Sequence, residues 1–113
     1  MIETFDEYQK KSLRTLKKHT SNTTMLNEAA LGIGGEAGEF IDHVKKVVFH
    51  GHDLDKSYLV KELGDVLWYI AEACQALEIN MSEVATQNFD KLCKRYPEQF
   101  SIERSINRST KQG

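Results

Sequence analysis

Proline is almost absent from this 113-residue chain: it occurs once, at position 97. Nothing upstream of it therefore carries a residue that must break a helix, and the high Leu, Ala, Glu and Lys content favours helix throughout. Cysteine occurs twice, as Cys74 and Cys93, at positions that read as helical and without metal-type spacing. That excludes a disulfide-stapled or zinc-finger class and leaves two small buried hydrophobes in a reducing compartment. No apolar run approaches the roughly 20 residues needed to cross a bilayer. The start, Met1 to Asp6, has neither a basic region nor an apolar one, which excludes a signal peptide. Excess positive charge is missing too: net charge is −2 and the pI is about 6.1. Bulk attraction to nucleic acid or to anionic lipid is thereby excluded. The expectation is a single all-α domain, soluble and cytoplasmic, with neither nucleic acid nor membrane as partner.

What is present is acid, in a particular spacing. Glu36-Ala37-Gly38-Glu39 and Glu62-Leu63-Gly64-Asp65 each hold two carboxylates three residues apart within a helical stretch, with nothing basic between them. On a helix such residues share a face, their Cβ atoms about 5–6 Å apart. Two acids that close repel, and two uncompensated pairs point to a divalent cation. Carboxylate oxygens suit Mg²⁺, Mn²⁺ or Ca²⁺ by hardness.

The flanking sequence builds the helices that would carry these pairs. Thr4-Phe5-Asp6-Glu7 has the form of a capping box and opens a helix that should fade near Lys18-His19. Thr20 to Thr24 reads as a connection. From Met25, Leu26, Ala30, Ile33, Ala37, Phe40, Val44 and Val47 recur in a 4-3-4-3 rhythm, predicting a helix of about six turns. Gly32, Gly34, Gly35 and Gly38 interrupt it, either for close helix packing or to leave room for a ligand. The stretch around Gly51 forms a turn, and Asp53 or Asp55 caps a third helix bearing Leu59, Leu63, Val66, Ile70, Ala73 and Leu77. A fourth helix opens at Asn80 or Ser82 and stops before Pro97. On the second and third helices each acid directly precedes a residue of the apolar seam, so packing seam on seam should bring the pairs toward one site. His50 and His52 lie in a loop without a partner at ligand spacing. No repeat of domain scale exists. Residues 101–113 read as a loose polar tail, with Ile102 and Ile106 available to a partner subunit.

These residues resemble a known family. Gly35-Glu36-Ala37-Gly38-Glu39, Val44-Lys45-Lys46 and Lys61-Glu62-Leu63-Gly64-Asp65-Val66-Leu67-Trp68-Tyr69 look like the MazG-like all-α nucleoside triphosphate pyrophosphohydrolases, and Asn88, Lys91-Leu92, Arg95-Tyr96-Pro97 and Phe100 extend the likeness. The resemblance covers about residues 25–100, within an expected domain of residues 1–100, and implies an antiparallel bundle of four to five helices completed by a homodimer or homotetramer. It implies hydrolysis of a nucleoside triphosphate between the α and β phosphates, with Mg²⁺ as cofactor and Mn²⁺ as a substitute. Glu36, Glu39, Glu62 and Asp65 would be the catalytic metal ligands. Lys46, Tyr69, Asn88, Lys91 and Arg95 would contact substrate, Lys91 and Arg95 at phosphates and Tyr69 near the nucleoside. Only Trp68 is available as a tryptophan, whereas base-specific members enclose a pyrimidine with more. Other readings fit the residues as well: a phosphoribosyl-ATP pyrophosphohydrolase-like enzyme, a non-catalytic helical interaction module, Trp68 as plain core, and Lys45 and Lys46 as a solvated face. A di-iron bundle would need a Glu-x-x-His pair, which neither acidic cluster contains.

Overall fold

A computed structural model describes residues 1–97 and Ile106. Among the described residues the chain is wholly helical: α1 (Phe5–Ser12), α2 (Asn22–His50), α3 (Lys56–Ala76) and α4 (Met81–Arg95), with a 3₁₀ turn at Leu13–Thr15. The sequence expectation at Phe100 and Ile102, and of a loose tail beyond, lies outside the described residues, apart from Ile106.

Local chemistry sets the helix ends. The Glu7 amide donates to Thr4 Oγ1 at 3.0 Å, as the capping box predicts. Instead of running on toward His19, α1 stops at Ser12. The Ser12 hydroxyl donates back to the Tyr8 carbonyl, while Thr15 Oγ1 (3.0 Å) and the Trp68 indole (3.2 Å) both donate to the Ser12 carbonyl. Side chains thereby take carbonyls that further helical amides need. α2 begins three residues earlier than the apolar rhythm, because Ser21 Oγ accepts from the Thr24 amide at 3.1 Å. At 29 residues it makes about eight turns, not six. It ends on Gly51, whose φ of 71° is the left-handed cap that glycine adopts without strain. Asp55 Oδ1 then accepts from the Tyr58 amide at 3.0 Å and starts α3.

The chain divides into two compact units after Met81. In the first, α2 and α3 form an antiparallel hairpin and α1 lies on α3. Ala71, Cys74 and Met81 are its buried centre, with Tyr8, Leu13, Leu67, Ile70 and Ile79 packed around them. Buried Gln9 ties this unit's last turn: its Nε2 donates to the Ile79 carbonyl (3.1 Å) and its Oε1 accepts from the Met81 amide (2.8 Å). Both polar ends are satisfied, so the amide is buried without a desolvation penalty left open. The second unit is described through α4, which stops before Pro97 as expected. Cys93, expected buried, is exposed there; neither cysteine is in a disulfide.

The helical seams do not meet as the sequence pattern suggests. Leu63 and Leu77 are more than half exposed, whereas the acids Glu62 and Glu72 are buried. α2 and α3 face each other along the flank that carries the carboxylates, and the apolar seam lies at the edge of that contact. Four pairings mark it: Glu28 with Glu72, Gly32 with Tyr69, Glu36 with Glu62 and Asp65, and His43 with Tyr58. Steps of four, four and seven residues up α2 are matched by steps of three, four and seven down α3, taken through Asp65.

Candidate metal centre and cleft

Glu36 from α2 and Glu62 and Asp65 from α3 come together, with one carboxylate oxygen of each within 4.8 Å of the others. The i, i+3 spacing on α3 and the antiparallel register produce this directly. Glu39, one turn after Glu36, acts on the Glu62 carboxyl as well and raises it further. Glu62 is 6% exposed and its Oε2 has no hydrogen-bond partner. Its carboxyl is pushed up to about 7, first by a hydrogen bond to Glu36, then by burial and by Glu39. Acids in this arrangement share protons when nothing else neutralises them. Nearby Tyr58 is also raised, by burial and then by the charges of Glu62 and Glu39. A hard dication fits this donor set, which is all oxygen, partly withdrawn from water and orphaned at Glu62.

Glu36 and Glu39 border a cleft of about 800 Å³. Its other lining includes Lys17, Lys18, His19, Glu28, Gly35 and Tyr69. Tyr69 lies on Gly32: a Cβ there would stand 2.2–2.4 Å from the tyrosine ring. One of the four glycines thus serves close packing. Gly34, Gly35 and Gly38 face open space, and of these Gly35 borders the cleft.

A second polar cluster stands at the far end of the same cleft. Glu72 is fully buried, and its Oε2 lies 3.2 Å from His19 Nε2. Glu28 completes the group, with Oε1 3.5 Å from His19 and Oε2 2.7 Å from Lys17 Nζ. Burial, then Glu28, pushes Glu72 up to about 7, while the Lys17 ammonium lowers Glu28. Glu72 follows Asp65 by seven residues and so lies on the same flank of α3, whereas His19 and Glu28 were not among the candidates the sequence pattern offered. Their only advance signal is that Glu28 precedes Glu36 by eight positions, the same flank two turns earlier.

The remaining candidates lie elsewhere. Lys46 pairs with Asp42 Oδ2 at 2.8 Å, away from the cleft lining. Trp68 stacks edge-on to Tyr69 and hydrogen-bonds α1, outside the cleft, as a core residue does. Asn88, Lys91 and Arg95 fall on α4 at three- and four-residue intervals, so they share one face of that helix.

Residues 23–100 match the family model for the MazG nucleotide pyrophosphohydrolase domain. The chain belongs to that family. Gene 37 protein of Mycobacterium phage L5 is 35% identical over 74 residues, covering 62% of this chain and 65% of the phage protein. The match thus spans slightly less than two thirds of that relative's length. No solved structure matches the chain. Among the described residues of this MazG-family chain, no helix is long and apolar enough to cross a membrane.

Proposed function

We propose that this MazG-family chain is a Mg²⁺-dependent nucleoside triphosphate pyrophosphohydrolase, cleaving between the α and β phosphates to leave a nucleoside monophosphate and pyrophosphate. The observation that carries the reading is Glu62, a buried carboxylate with an unpartnered oxygen, surrounded by further carboxylates at the edge of an open cleft. Glu36, Glu39, Glu62 and Asp65 are the proposed ligands of Mg²⁺, or of Mn²⁺ in its place. The ion supplies Lewis acidity toward phosphate oxygens and an acidified water.

The chain's own groups do the positioning. The acids hold charge where the phosphates arrive, and Gly35 leaves the cleft wall open beside them. Tyr69 offers a ring face to the nucleoside. Lys91 and Arg95 are the proposed phosphate contacts and Asn88 a further substrate contact. Lys46 joins them by exchanging Asp42 for a phosphate oxygen, an exchange that costs little at an exposed pair. Residues 1–100 form the proposed catalytic domain and 101–113 its polar tail, in a cytoplasmic protein.

Assembly into a dimer or tetramer belongs to the same reading. α2 and α3 leave Ile41, Val48, Phe49, Val60 and Leu63 all more than half exposed. Such an area of apolar surface on a short chain suits a second copy. Sedimentation at micromolar concentration should show an oligomer; a monomer there removes this part.

The decisive experiment is a panel of canonical, deoxy and modified triphosphates with Mg²⁺. Equal amounts of monophosphate and pyrophosphate are expected, none of either with chelator. Release of orthophosphate, or no turnover across the panel, overturns the proposal. Mg²⁺ or Mn²⁺ should also raise the melting temperature by binding the folded state, and Glu39→Gln or Glu62→Gln should blunt that rise.

A further inference from the structure

The cluster at the far end of the cleft has features that a plain ion-pair network does not explain. Glu72 is 0% exposed and its Oε1 has no hydrogen-bond partner. The His19 side chain is 3% exposed. Its Nε2 approaches two carboxylates, yet neither approach has hydrogen-bond geometry. The three groups converge on a common point, with donor atoms within 4.8 Å of one another. Atoms that serve one another as donor and acceptor line up along a bond, whereas atoms that serve a metal ion surround it.

We infer that His19, Glu28 and Glu72 form a binding site for a borderline divalent cation of the Zn²⁺ type, separate from the Mg²⁺ cluster. The chemistry selects the ion: one imidazole nitrogen with two carboxylates is a zinc-type donor set, whereas the four-acid cluster is all oxygen. Glu28 has an oxygen for each duty, Oε2 for Lys17 and Oε1 for the ion. Three protein ligands leave a fourth position for water or a ligand group from the cleft that His19 and Glu28 border. Glu28 and Glu36 are eight residues apart on α2, about 12 Å along the axis. That is too far for the paired-ion arrangement that clamps one phosphoryl group, whose metals sit about 4 Å apart. The site is a clasp: it fixes the segment bearing Lys17, Lys18 and His19 to both long helices and so closes one end of the cleft. It does not depend on the pyrophosphohydrolase reading.

The test uses the full chain stripped with chelator, then supplied with excess Mg²⁺ and titrated with Co²⁺, whose visible absorption reports imidazole and carboxylate coordination. Stoichiometric binding with a visible band is expected, and Zn²⁺ should displace it. His19→Gln and Glu72→Gln should each weaken Co²⁺ binding by about a hundredfold or more, the upper end of what loss of even an outer-sphere partner costs. Glu62→Gln and His52→Gln should leave the band intact. Because both ligands are buried and their variants can fail to fold, Lys17→Ala provides an independent arm. Lys17 is exposed and its ammonium stands 2.7 Å from Glu28, so its removal takes a positive charge from beside the cation and should tighten Co²⁺ binding. The inference is overturned by no Co²⁺ binding in the presence of Mg²⁺, by a band that survives in folded His19→Gln, or by Lys17→Ala leaving the affinity unchanged.

Discussion

Gly32→Ala puts the α2–α3 contact to a quantitative test. An added Cβ would lie 2.2 Å from Tyr69 Cδ1 and 2.4 Å from Cγ, where ordinary contact begins at 3.4 Å. An overlap of 1.0 Å at Cγ, near the root of the ring, cannot be relieved by a small tilt. Tyr69 must leave its rotamer or the helices must part. Overpacking of this kind costs about 3 kcal/mol at the upper end of its usual range. Replacing a helical glycine with alanine returns about 1 kcal/mol. The net expectation is a loss of about 2 kcal/mol, a fall of roughly 1 M in the urea midpoint. In a Tyr69→Ala background the obstacle is gone and only the propensity gain remains, so the same substitution should stabilise by about 1 kcal/mol. The assay is urea unfolding of the four proteins of the cycle at one protomer concentration. A sign that does not reverse between backgrounds refutes the reasoning, because the glycine would then be serving something other than Tyr69.

The carboxyls of Glu62 and Glu72, both raised to about 7 from an ordinary 4.5, predict how stability varies with pH. A raised carboxyl favours the fold while protonated, so its contribution is intact below 4.5 and is lost as pH rises through about 7. The metal-free melting temperature should therefore fall between pH 5 and pH 8, and saturating Mg²⁺ should remove the Glu62 share; a flat metal-free profile contradicts this. Glu78 sits at a left-handed φ of 58° at the end of α3, so Glu78→Gly should stabilise by about 0.5 kcal/mol in urea unfolding. In steady-state pyrophosphate release, Asp65→Asn should cut kcat by about 10²–10³-fold. Arg95→Ala should mainly raise KM, with Arg95→Lys recovering only part; unchanged constants would mark Arg95 as a solvated helix end.

Much of this chain can be read locally. The caps at Thr4 and Asp55, the glycine stop at Gly51 and the halt before Pro97 are each set by hydrogen bonds or steric limits within one turn, so a few neighbouring residues suffice to predict them. The acid pairs are equally legible, since i, i+3 spacing fixes a shared face before any packing occurs. Ser12 shows the limit: its carbonyl is taken partly by Trp68, 56 positions away, and no local pattern announces that α1 stops there. Only the tertiary structure decided which face of α2 meets α3. The heptad seam predicted a leucine contact, yet the carboxylate flank turned inward and left Leu63 and Leu77 exposed. Periodicity reports that a helix has an apolar side but not what covers it, and a partner copy can cover that side as well as a neighbouring helix can. His19 was invisible for the same reason. Its meeting with Glu28 and Glu72 depends on where the segment after α1 crosses two helices, a choice made by long-range packing rather than by sequence spacing.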